Sequence, residues 1–313
     1  MDERFALANA SAAMARLDES MRHHRMPAVA RAWMLRSETL AIMECSEGEK
    51  VPEQILCHLL VDDLYGLSNL KQRVSVCIHA ALDRAIDGPQ GDEDVADWLT
   101  AVWSESESSN RHLDAGAAEW RNETSIWESA APIRSILGTR SYSMTAECLR
   151  QLWLSPSFDG KGRRMALLLA PHFLKMTFDA PLAQVGLARA LNADPDATKQ
   201  ASADPETWIA HFFEAVAVSA RRAYEATQTL SRLTIDLNNL MPAERAGSRK
   251  AKALELFLQR PVRTVQDLAS DLGMSDYGTT LIIEKMVKAG VVQKADGSSK
   301  QNRSYVCRKA MAV

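Results

Sequence analysis

The stretch that decides the fold reads RKAKALELFLQR (249–260), PVRTVQDLASDLGM (261–274), SDYGTTLIIEKMVKAGVV (275–292) and QKADGSSKQNRSYVC (293–307). Leu254, Phe257 and Leu258 recur at helical spacing and predict a first helix. Pro261 stops it, because proline lacks the backbone N–H that another turn needs. Thr264 is an N-cap for a second helix, with Val265, Leu268, Ala269 and Leu272 as its buried stripe. Gly273 supplies a tight turn. Ser275 caps a third helix whose buried face is Ile282, Ile283, Met286 and Val287, and Gly290 closes it. Val291 and Val292 begin a strand, Asp296-Gly297 is a hairpin turn, and Ser304-Tyr305-Val306 is the return strand.

This order of elements resembles the winged helix-turn-helix domains of bacterial regulators. The resemblance implies that the third helix enters the major groove of double-stranded DNA while the hairpin, the wing, lies on the backbone. Ser275, Tyr277, Thr280, Leu281 and Lys285 are then placed to face DNA, Ser275 and Thr280 towards phosphates or bases and Tyr277 towards a phosphate or a thymine methyl. Lys294, Lys300, Asn302 and Arg303 on the wing would meet phosphates, as would Arg249, Lys250 and Lys252 on the first helix. Asp276 and Glu284 stand on the same reading helix, and it carries no arginine for guanine. A winged helix also serves as a protein-docking module.

Charge agrees with a nucleic-acid role for this piece alone. Residues 241–313 hold 13 Lys+Arg against 7 Asp+Glu, a balance of +6, in a chain whose net charge is -3, which leaves -9 for the rest. A basic module on an acidic body suits phosphate binding by the module. The 313 residues suffice for one large or two ordinary domains, and 46% hydrophobic with 25% charged residues is ordinary for a globular protein. Abundant Ala and Leu predict a mainly α fold. No apolar run approaches the ~18 residues of a membrane span, and MDERFALANAS is no basic-then-apolar signal, so a cytoplasmic protein without membrane contact is expected. Cys45, Cys57, Cys77, Cys148 and Cys307 are scattered and odd in number; they read as reduced thiols, neither a disulfide framework nor a metal pair.

Residues 1–240 read as a helical body. Asp2–Arg25 is an amphipathic helix with Phe5, Met14, Leu17 and Met21 on one face. Pro27–Cys45 is a second helix, and a third begins at Pro52 with Ile55, Leu56, Leu59 and Leu60. Another spans Lys71–Ile86. A loop insertion is expected near 87–114: DGPQGDED (87–94), then SESESSNRH (104–112), polar enough to be exposed. Trp98, Trp103, Trp120 and Trp127 around it read as core. Helix resumes near Thr145. Asp204-Pro205-Glu206 starts a long helix to about Leu240, and 241–248 is the linker to the 249–313 module. His23-His24 point apart on a helix, and His58, His79, His172 and His211 lack ligand-spaced partners, so no metal site is expected.

One segment of the body suits anions. In LSPSFDGKGRRMALLLAP (154–171) a glycine-containing loop opens an apolar helix. Backbone N–H groups and the helix dipole favour phosphate there, and Asp159, Gly160, Lys161, Gly162 and Arg163 are the candidate phosphate-binding residues. A plain capped helix start has the same appearance. The segment resembles the Fic family, whose signature is His-Pro-Phe-x-Asp-Gly-Asn-Gly-Arg-x-x-Arg, and the resemblance extends over roughly Thr145–Arg308. It implies a helical Fic-like bundle and, for an intact motif, AMP transfer to a protein side chain.

Here Pro156, Asp159, Gly160, Gly162 and Arg163 match. Ser155 stands for the catalytic His, Ser157 for Phe, Lys161 for Asn and Ala166 for the last Arg. A serine hydroxyl is no base near neutral pH, and loss of a general base costs about 10²–10⁴ in rate. The missing arginine weakens charge stabilisation further. Glu47-Gly48 corresponds to the family's inhibitory-helix glutamate, with Met43 where Ser or Thr is expected. The chain is also similar to uncharacterised bacterial proteins, found on rhizobial plasmids among others, that join a domain of unknown function to a C-terminal helix-turn-helix.

The expected architecture is therefore mainly α: a helical, Fic-like body plus a small winged-helix domain. The expected function is a DNA-binding transcriptional regulator whose body has lost catalysis, with no catalytic residue, metal or cofactor. The alternatives are a nucleotide-binding or AMP-transferring Fic-type enzyme, with a nucleotide ligand, and a protein-docking scaffold. A palindromic DNA site would imply a homodimer.

Overall fold

The computed structural model describes residues 2–24, 26–60, 70–91, 93–108, 133–136, 140–155, 158, 161–241, 248–295 and 304–313. It is mainly helical, with a small three-stranded sheet among the described residues. The chain divides into two compact units. The first comprises Met1–His23, Met34–Val51 and Asn69–Tyr224; the second comprises His24–Trp33, Pro52–Ser68 and Glu225–Val313.

The helices before residue 241 include α1 (Glu3–His23), α2 (Pro27–Glu47), α3 (Glu53–Leu59), α4 (Leu70–Asp87), α5 (Val95–Ser106), α6 (Tyr142–Leu154), α7 (Gly162–Thr177), α8 (Ala188–Asn192), α9 (Pro195–Ser202) and α10 (Pro205–Leu240). The centre of the first unit is α7. Every residue from Arg164 to Leu174 is buried, as expected of a helix apolar on all sides, and α4 and α6 pack on it. Trp98 of α5 meets His172 and Phe173 of α7 at ring separations of 5.4 and 6.5 Å. The Trp208 indole N–H donates to the Ala146 carbonyl at 2.7 Å, tying α10 to α6. The start of α10 carries the cap anticipated from Asp204, whose carboxylate accepts from Thr207 N at 2.8 Å.

Two buried carboxylates hold loop backbone in this unit. Asp18 of α1 accepts from Leu182 N at 2.7 Å and Ala183 N at 3.2 Å. Glu38 of α2 accepts from Ala188 N at 2.8 Å, at the start of α8. Each satisfies donors that would otherwise be stranded away from water.

The second unit carries α11 (Arg249–Gln259), β1 (Val262–Thr264), α12 (Val265–Leu272), α13 (Asp276–Lys288), β2 (Gln293–Lys294), β3 (Ser304–Val306) and a closing 3₁₀ turn, Arg308–Met311. Strand order is β1-β3-β2 and both pairings are antiparallel. Val262 faces Val306 across one ladder, and Gln293 faces Val306 across the other. Ser248 caps α11 by accepting from Ala251 N. Thr264 and Asp267 form a reciprocal capping box at the start of α12. Gly273 ends α12 in the left-handed region at φ 59°, where a side chain would cost energy. Met274 and Ser275 complete the turn into α13. The core of this unit includes Leu254, Phe257, Leu258, Leu268, Ile283 and Met286.

Several sequence expectations need correcting. Phe5 is 60% exposed and leaves the α1 stripe to Ala6, Ala10, Met14, Leu17 and Met21. The polar run at 104–112 is not wholly an exposed insertion: α5 continues to Ser106, which is fully buried, while 109–112, Trp120 and Trp127 lie outside the described residues. On α13 the buried stripe is Thr279, Ile283 and Met286; Val287 is 40% exposed. Val291 and Val292 are buried but precede the strand, which forms at Gln293–Lys294. The strand β1 was not anticipated at all. The hairpin tip, Asp296-Gly297, lies outside the described residues. Among the described residues no helix is long and apolar enough to cross a membrane.

Candidate functional site

The face of α13 opposite its buried stripe is exposed and carries large side chains. Helical spacing sets Tyr277, Leu281, Glu284, Lys285 and Lys288 together there, away from Thr279, Ile283 and Met286. Tyr277 is 76% exposed and Leu281 43% exposed. Of the anticipated contact residues, Tyr277, Leu281 and Lys285 thus share one surface. Lys288 belongs to it too and was missed, although spacing from Leu281 and Glu284 would have found it.

Ser275 and Thr280 are placed differently. The Ser275 hydroxyl accepts from Gly278 N at 3.3 Å as the helix cap. Thr280 Oγ1 donates to the Asp276 carbonyl at 2.8 Å, one turn back. Both hydroxyl oxygens are held against the helix's own backbone, Ser275 as an acceptor and Thr280 as a donor. Lys294 is exposed on β2, opposite Tyr305. Lys300, Asn302 and Arg303 lie outside the described residues.

Of the cations expected on α11, Arg249 is exposed, Lys252 pairs with Glu255 at 3.3 Å, and Lys250 is buried and so withdrawn from any surface. Arg263 is structural: buried on β1, it donates to the Leu256 carbonyl at 2.9 Å and pairs with Asp271. Burial lowers its pKa, and Asp271 works against that shift.

The sheet of this unit is covered from an unexpected direction. Cys57 of α3 joins Val262, Ala295 and Val306 in one buried apolar cluster, with Met311 against it. The second unit is therefore not the contiguous 249–313 segment; a helix from the first sixty residues forms part of its core.

In the first unit the anticipated anion loop does not converge on one point. Asp159 and Gly160 lie outside the described residues. Lys161 pairs with Glu107 at 2.5 Å. Arg164 is 1% exposed and pairs with both Glu107 and Glu47. Arg163 points elsewhere, its guanidinium 5.3 Å from the Trp153 ring centre, beside a small pocket that Cys45, Asn192 and Lys199 also line. Gly162 is needed for packing: a Cβ there would come within 2.2 Å of the Leu152 carbonyl oxygen. Its lack of a side chain thus has a structural cause that involves no ligand.

Glu47 and Glu107 neutralise the charge that Lys161 and Arg164 would offer a phosphate. A phosphate taking these two cations would have to displace a carboxylate from a buried guanidinium. The position expected of a catalytic base is Ser155, which closes α6.

No protein-family model and no curated protein matches this chain.

Three histidines of the first unit have local partners. His172 Nδ1 lies 3.3 Å from the Ile86 carbonyl, and burial pulls its pKa down to about 4. His79 and His211 each meet a threonine hydroxyl, at 3.1 and 2.9 Å. Among the described residues no group of three His, Cys, Asp or Glu could hold a metal ion. Cys45 is half-buried, and desolvation pushes its thiol up to about 11, which makes it a poor nucleophile near neutral pH.

Proposed function

We propose that the chain is a DNA-binding regulator, that its second unit is a winged helix-turn-helix, and that α13 is the helix that enters the major groove. The observation that carries this reading is the turn between α12 and α13. Three residues, Gly273, Met274 and Ser275, join two capped helices, and the second helix turns Tyr277, Leu281, Lys285 and Lys288 outward. A three-to-four-residue, glycine-containing turn between two helices is the helix-turn-helix arrangement, and the second helix of such a pair is the one that meets base edges. The antiparallel β2–β3 pair after it, with Lys294 exposed, has the form of a wing. The +6 balance of residues 241–313 supports phosphate contact.

For the body, the reading is a Fic-like bundle without catalysis. It is supported by Ser155 in place of a base and by Lys161 and Arg164 already paired with Glu107 and Glu47. Transfer of a nucleotide by this loop is disfavoured on the same grounds.

The test is fluorescence anisotropy of a labelled random duplex titrated with the full chain at about 50 and 200 mM salt. Binding that weakens steeply with salt, and whose salt slope falls by about one on Lys285→Ala, is the expected result. A chain that binds no duplex at the lower salt would sink the reading and leave α13 as a protein-docking surface.

A further inference from the structure

The side chains on the exposed face of α13 restrict which bases it can read. The helix is DYGTTLIIEKMVK, and it holds no Arg, Asn or Gln. Guanine O6/N7 is read by the forked donors of Arg or by Lys, and adenine N6/N7 by the amide of Asn or Gln. The two lysines, Lys285 and Lys288, stand in the last turn, beyond the N-terminal half that approaches the bases most closely in this docking geometry. That half presents Tyr277 and, one turn on, Leu281, both well exposed. Two other hydroxyls of that half are turned onto the helix's own backbone: Ser275 Oγ accepts from Gly278 N and Thr280 Oγ1 donates to the Asp276 carbonyl.

An apolar side chain finds one apolar partner on a major-groove edge, the C5-methyl group of thymine. We infer that Tyr277 and Leu281 set sequence choice by packing on thymine methyls. Their spacing restricts the site further. Four residues of helix rise about 6 Å, and successive base pairs are about 3.4 Å apart. A helix lying along the groove therefore sets the two side chains over thymines about two steps apart. Lys285 and Lys288, next along the same face, meet the flanking phosphates and contribute affinity without sequence choice. Glu284 is an acceptor only, and among major-groove edges it tolerates the cytosine amino group best.

This inference rests on the DNA-binding reading above, and the experiment separates the two. A preferred duplex is selected from a randomised pool with the full-length chain. Each thymine in it is then replaced singly by deoxyuridine, which removes the methyl and leaves every hydrogen-bonding group in place.

The expected result is a loss of about three- to fivefold per methyl at two positions about two steps apart, and little elsewhere. In Leu281→Ala one of those losses disappears, and in Tyr277→Ala the other, because the partner of the methyl is gone. Both side chains are exposed, so neither substitution threatens folding. Lys288→Ala weakens all duplexes alike and keeps the deoxyuridine pattern. Selected duplexes that bind equally well with thymine and deoxyuridine would overturn the inference and leave DNA binding intact. Absence of binding to any duplex at about 50 mM salt would overturn both, and would assign Tyr277 and Leu281 to an apolar protein partner.

Discussion

The carboxyl group of Glu38 fills the space that a side chain at Gly186 would need: a Cβ there would lie 2.0 Å from Glu38 Cδ. The glycine lets the chain pass over the carboxylate, which in turn accepts Ala188 N at 2.8 Å. Gly186→Ala forces one of them to move against a buried carboxyl group. The expected cost is about 1–3 kcal/mol, as for overpacking elsewhere, read from the urea midpoint with an unchanged slope.

The same carboxyl and His172 give opposite pH dependences. Burial raises Glu38 from 4.5 to about 7 and lowers His172 from 6.5 to about 4. The stability contributed by Glu38 is complete below the ordinary carboxyl value and is lost as pH rises through about 7. That of His172 is complete above its ordinary value of 6.5 and is lost as pH falls towards about 4. In the intact chain these slopes largely cancel between them. Glu38→Gln should yield a protein that loses stability on acidification, and His172→Gln one that gains it. Each slope should amount to no more than about 3 kcal/mol across the window. Parallel pH profiles for the two variants would refute the assignment.

Glu107 holds both Lys161 and Arg164, whereas Glu47 holds Arg164 alone. Glu107 is also the less exposed of the two, at 16% against 28%. Glu107→Ala takes one of two carboxylates from the buried Arg164 guanidinium and the carboxylate paired with Lys161 as well, and should cost up to about 3 kcal/mol, with Glu47→Ala costing distinctly less. Denaturant unfolding of the two variants and of the double variant measures the coupling.

Cys57 lies 3% exposed among Val262, Ala295 and Val306. Cys57→Asp places an unpaired charge in that cluster and should cost at least about 2 kcal/mol. The loss should appear as faster hydrogen exchange at the amides of β1 and β3. Unchanged exchange there would mean that α3 does not support the sheet.

Much of this architecture was legible in local pattern. The start of α10 at Asp204-Pro205, the end of α12 at Gly273 and the strand Ser304–Val306 all follow from residues whose preferences act within a few positions. What escaped depends on distant partners or on residues of mixed character. β1 is three residues long, too short for a periodic signal, and exists because β3 pairs with it. Thr279 is a polar residue in a buried stripe, so counting apolar residues alone rotated the face of α13 towards Val287. Glu107 stands in an acid-serine run that reads as solvated, and its guanidinium partner is on another helix. Among the anion-loop residues, the pattern identified the helix start and the glycine but could not show that Lys161 and Arg163 diverge.

The middle strand of the second unit is β3, bonded to β1 on one side and β2 on the other. A ribosome delivers β1 and β2 first, and neither pairs with the other. The sheet can close only after residue 306 has emerged, and its buried cluster must also recruit Cys57, made well before any of the strands. This unit is thus committed to late, long-range assembly, the slow kind. Chains interrupted between 295 and 303 would leave Val262 uncovered and both β1 and β2 unpaired, a form suited to recognition by quality control rather than to partial function.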